Sequence, residues 1–97
     1  MAYQFGDKIK ELRLKQNLFL RQVAAQLDMD TAQLSKIEKG TRQLKQEQLE
    51  PLTKILKAEL AELQTLWLSD QVLELVKDQP NADEALKSVS KKIKKDR

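Results

Sequence analysis

Residues 20–40 read LRQVAAQLDMDTAQLSKIEKG, and the fold turns on how that stretch is parsed. Leu20, Val23, Ala24 and Leu27 recur at helical spacing and then stop. Asp28-Met29-Asp30 interrupts the stripe with two residues suited to helix capping. Asp30 precedes Thr-Ala-Gln, so its carboxylate can accept a hydrogen bond from the free amides of a new helix. Leu34 and Ile37 anchor that helix among polar neighbours, and Gly40 after Lys39 stands where a left-handed residue ends it. The stretch is therefore a short helix, a three-residue turn and a second short helix. Two such helices cross steeply over a small core. That crossing needs a small residue at closest approach, and Ala24 supplies it.

Outward from this unit the pattern stays helical. Phe5, Ile9, Leu12 and Leu14 predict a helix over 5–15, with a turn at Asn17. Leu49, Leu52, Ile55 and Leu56 predict another over 46–57, starting near Gln48 or bending there because Pro51 is tolerated only in a first turn. Residues 59–79 read as one longer helix or two abutting ones broken near Ser69-Asp70. The apolar set in 60–76 is too broad for a single stripe, which implies burial on more than one side. Pro80 ends this region, and Asn81 is placed to cap a last helix with Asp83 and Glu84 in its first turn. Leu86, Val89 and Ile93 form a narrow stripe on that helix, before a KKIKKDR end expected to fray. No alternating strand pattern and no repeat occurs, so the chain is read as all-α.

Composition bounds the function. One domain with a real core fits 97 residues of which 40% are apolar. Cysteine and histidine are both absent, removing thiolate metal sites, disulfides, the commonest metal ligand and the commonest general base. The carboxylates are scattered and form no calcium loop. No enzyme activity, cofactor or metal is therefore expected. The start of the chain lacks the basic and apolar segments of a secretory signal, and no apolar run approaches the roughly 20 residues of a bilayer span. The expected location is the cytoplasm. Net charge is +3 but polarised: residues 31–45 carry +3, residues 46–86 carry −6, and residues 87–97 carry +5.

The outer face of the second short helix, Thr31, Ala32, Gln33, Ser35, Lys36 and Lys39, holds no acid. A surface that reads DNA needs this, because a carboxylate aimed at the groove would repel phosphate. Here the chain resembles the Cro/repressor-type (XRE) helix-turn-helix family of bacterial and phage transcription regulators. The likeness is carried by LRQVAAQLDMDTAQLSKIEKGTRQL, above all LSKIEKG at 34–40, and by FGDKIKELR from Phe5. It covers roughly residues 5–66. Phe19 departs from it, standing where the family usually has a Ser or Thr cap, as does Lys45; Asn17 is an alternative cap for the second helix.

The resemblance implies a five-helix, lambda-repressor-like DNA-binding domain over 1–69, with an additional C-terminal helix in a 70–97 extension. It makes 31–39 the recognition helix, with Thr31, Ala32, Gln33 and Lys36 at base edges and Arg21, Ser35, Lys39, Arg42 and Gln43 at phosphate. Arg13 and Glu38 match a structural ion pair of the family. The breadth of 60–76 suggests a homodimer through Leu66, Trp67, Val72, Leu73 and Val76, although Trp67 fits the core better than an interface. The function implied is a transcriptional regulator, often a repressor, on a palindromic operator; restriction-modification controllers share this architecture. Two rival readings stand beside it. One is an antitoxin whose 70–97 segment binds a toxin, and the other is a protein-interaction module without DNA binding. The Lys-rich tail is either a solvated end or a DNA arm.

Overall fold

The computed structural model describes residues 3–97, and all regular structure among them is helical. Six α-helices follow in order: α1 (Gln4–Lys15), α2 (Leu20–Gln26), α3 (Thr31–Lys39), α4 (Leu49–Leu56), α5 (Leu60–Val76) and α6 (Ala82–Lys95). A 3₁₀ turn at Gln46–Gln48 leads into α4. Among the described residues no helix is long and apolar enough to cross a membrane.

Each boundary has a local cause. Asn17 (φ 57°) is left-handed and ends α1, with the Leu18 amide donating back to the Arg13 carbonyl at 3.1 Å. Asn17 therefore terminates one helix and does not cap the next. The cap position of α2 is Phe19, whose side chain has no acceptor; its backbone N–H donates instead to Gln22 Oε1 at 2.7 Å. Lys45 repeats the device, donating its amide to Gln48 Oε1 at 3.2 Å. Pro51 falls in the first turn of α4, where a missing N–H leaves no ladder bond unmade.

The core gathers Phe5 and Ile9 of α1, Val23, Ala24 and Leu27, Leu34 and Ile37 of α3, Leu44, Leu49, Leu52 and Leu56, and Leu63 of α5. α5 runs unbroken through Ser69-Asp70. Of the two readings of 59–79, one long helix is the one formed, and Asp70 within it serves another helix. Its two carboxylate oxygens accept the Gln4 and Phe5 amides at 3.1 and 2.9 Å, capping α1, whose own cap residue Tyr3 makes no such bond. The 69/70 division thus falls inside a helix. Trp67 also ties α5 to the chain before it, donating its indole N–H to the Leu44 carbonyl at 2.7 Å. Asn81 precedes α6 but its side chain makes no cap bond, since its backbone (φ −107°, ψ 24°) lies outside the extended region that aims a capping side chain at the helix. The lysine-rich end is helical as far as Lys95, and α6 buries none of its residues.

Candidate nucleic-acid interface

The α2–α3 unit holds one helix face rigid and open. Asp30 Oδ1 accepts the Gln33 amide at 2.8 Å and fixes the start of α3. At the other end Gly40 (φ 82°) closes it, donating to the Ile37 carbonyl while the Thr41 amide reaches the Lys36 carbonyl at 3.0 Å. Beneath, Leu34 and Ile37 are buried against the core. Glu38 is buried beside them and meets Arg13 in a bidentate pair, Nε to Oε2 at 2.7 Å and Nη2 to Oε1 at 3.1 Å. Arg13 Nη1 adds a bond to the Leu18 carbonyl at 2.8 Å, so one guanidinium joins α1, α3 and the turn before α2. α1 approaches α3 at Gly6, where an added Cβ would overlap the carbonyl oxygens of Ile37 and Glu38.

What remains outside is the polar face. Thr31, Ala32, Lys36 and Lys39 are exposed, with Gln33 and Ser35 half-buried at its margins. Arg42 and Gln43 follow on an exposed loop whose path is held by buried Leu44 and its bond from Trp67. Arg21 is exposed at the start of α2, its guanidinium 4.6 Å above the Phe19 ring. Phe19 thus stacks on a cation that faces the same solvent, and so has a use at the position where it breaks the family's capping pattern. The one acid of α3, Glu38, is turned inward and paired.

A family model described as a helix-turn-helix domain matches residues 4–66, about two thirds of the chain. The chain belongs to that family. Comparison with curated proteins and with solved structures found no match. The helix-turn-helix domain is a DNA-binding unit in which the second helix of the motif is the reader, so membership marks the chain as a DNA-binding protein. The matched region ends at Leu66 and leaves out most of α5 and all of α6.

Beyond the helix-turn-helix, the five residues expected at a dimer contact separate into two groups. Leu66 and Trp67 pack against the core of their own chain. Val72, Leu73 and Val76 are half-buried along the second half of α5. The most open large apolar residues there are Leu68 and Leu75, 54% and 77% exposed. Apolar breadth singled out the segment without showing which side the core takes. Gly6, Leu44 and Asp70 were also missed, and for one reason: each acts on a partner remote in sequence.

Proposed function

We propose that this helix-turn-helix protein is a sequence-specific transcriptional regulator that binds a palindromic operator as a homodimer, without metal, cofactor or catalytic step. The observation that carries the reading is the outer face of α3, neutral or cationic along its whole length and capped at both ends. The amino-terminal half of α3 enters the major groove, with α2 across the backbone. Lys36 donates to guanine O6 or N7, Gln33 addresses adenine, and Thr31 and Ala32 meet a thymine methyl. Arg21, Ser35, Lys39, Arg42 and Gln43 engage phosphate and set the register. Arg13 and Glu38 hold α3 in place and do not touch DNA. A two-fold axis sets two reading helices ~34–36 Å apart, one turn of DNA. Such a protein works in the cytoplasm, on the nucleoid.

Selection of bound duplexes from random DNA, using the full chain, tests this directly. The expected product is an enriched palindrome whose half-sites lie about 10–10.5 base pairs apart, centre to centre. Salt-sensitive binding with no enriched sequence would remove the specific operator. No binding even at low salt would remove DNA as the partner.

A further inference from the structure

α5 and α6 each present an apolar stripe that the described residues leave largely open. On α6, Leu86, Val89 and Ile93 are 39%, 54% and 47% exposed and share one face. On α5, the side turned away from buried Leu63 carries Ala61, Thr65, Leu68, Val72 and Leu75, at alternating four- and three-residue steps. That alternation is a coiled-coil seam. Gln64, Ser69, Gln71 and Val76 flank it, with Glu62 the one charged neighbour at the start of the helix, and a side free of charge from Thr65 to Val76 is unusual in a chain that is 34% charged.

The two stripes fit each other. Read backwards, Leu75, Val72 and Leu68 fall at offsets of three and seven residues, the same offsets as Leu86, Val89 and Ile93 read forwards. Each set spans about 10 Å of helix. The charge is complementary at the ends as well: laid antiparallel, the α6 end with Lys92, Lys94 and Lys95 reaches the start of α5, where Glu59 and Glu62 are exposed. Yet α6 does not pack along its own α5. The connection is hydrogen-bonded into turns, Gln79 N–H to the Val76 carbonyl at 2.9 Å and Ala82 N–H to the Gln79 carbonyl at 3.3 Å. Both stripes stay open, and the chain has a radius of gyration of 15.1 Å, against about 12.5 Å for a compact chain of this length.

We infer that a second copy of this chain closes the seam: α6 of each protomer lies antiparallel on α5 of the other, pairing Leu75 with Leu86, Val72 with Val89 and Leu68 with Ile93. The exchange is reciprocal, so a two-fold dimer covers both stripes twice. It rests on the dimer reading above and deepens it by naming the surfaces. It also gives α6 a role in assembly, leaving the recognition helix free.

Cysteine-free sequence makes the test clean. Full-length Val72→Cys and Val89→Cys proteins are prepared separately, mixed, oxidised and examined beside each protein alone. The expected result is a disulfide-linked heterodimer from the mixture, since the exchange sets the paired Cα atoms within the ~4.4–6.8 Å a disulfide bridges, and no linked dimer from Val89→Cys alone. Self-linking of Val72→Cys as the main product, or a dimer in sedimentation with no mixed disulfide, overturns the exchange and leaves the dimer standing. A monomeric 72/89 double variant with an internal disulfide shows α6 folded back on its own α5, which also overturns it. A chain that sediments only as monomer at micromolar concentration removes the dimer and the exchange together. Independently, Ile93→Asp should weaken dimerisation about a hundredfold, as two such side chains per dimer lose their burial, without moving the thermal midpoint of the monomer. Unchanged dimerisation in that variant counts against the exchange.

Discussion

Glu38 is 7% exposed, and the guanidinium it faces is equally enclosed. Glu38→Ala therefore strands the Arg13 charge, and chemical denaturation should show a loss of about 3–5 kcal/mol. Gly6→Ala tests the opposite of a helix-propensity rule. Alanine normally stabilises a helix interior over glycine by roughly 0.5–1 kcal/mol. Here the added methyl meets backbone carbonyls of α3 that have no side-chain freedom to yield, so stability should fall by about 1–3 kcal/mol. A Gly6→Ala protein as stable as the parent would mean that α1 can slide away from α3. Lys36 and Arg42 differ in what they are expected to read. In equilibrium titrations, Lys36→Ala should cost about 1–3 kcal/mol on the preferred site and relax preference at one base position per half-site. Arg42→Ala should weaken all sequences alike and reduce the salt slope by about one unit per protomer.

Helix ends divide into those settled by neighbours in sequence and those settled across the fold. Asp30 and Gly40 belong to the first kind, so the limits of α3 were legible from residues 30–40 alone. α1 belongs to the second. Its first amides are met by Asp70, more than sixty residues away, which no local pattern announces. Asp70→Ala should lower stability by about 1 kcal/mol, within the usual range for a lost cap, and hydrogen exchange should speed up at Gln4 and Phe5 before it does in α3. Protection unchanged at those amides would show that the carboxylate is dispensable. Ser69-Asp70 allows either one helix or two, and in α5 Asp70 directs its carboxylate to α1 while its own backbone stays in the ladder.

Across the whole molecule the chain start is tied to the far end of α5. Tyr3 donates its phenol to the Glu74 carboxylate, which also pairs with Lys77 at 3.1 Å. That phenol bond is the main cause holding the Glu74 carboxyl below the usual carboxylate range, with Lys77 adding to it. The same bond holds the Tyr3 phenol above its ordinary value. A depressed carboxyl contributes above its unfolded pKa and stops contributing as pH falls through the folded one. A raised phenol contributes below its unfolded pKa and stops contributing as pH rises through the folded one. The tie should therefore hold through neutral pH and open at both extremes. Ring and carboxyl resonances of Tyr3 and Glu74 followed by NMR across pH should move together in acid, and Glu74→Gln should abolish the acid movement of the Tyr3 ring. Independent titration of the two groups would show that the contact is not populated.

The amino-acid sequence by itself determined the helical class, the α2–turn–α3 unit, the caps at Asp30 and Gly40 and the acid-free composition of the outer face of α3. Each of these depends on spacing within a few residues, where periodicity and capping chemistry act directly. Tertiary structure decided what depends on distant partners: the approach of α1 at Gly6, the long-range cap from Asp70, the anchoring of Leu44 by Trp67, and the side of α5 left to solvent. An apolar residue announces that it will be covered, not by what. In α5 the core took Leu63, Leu66 and Trp67, and so left Leu68 and Leu75 open.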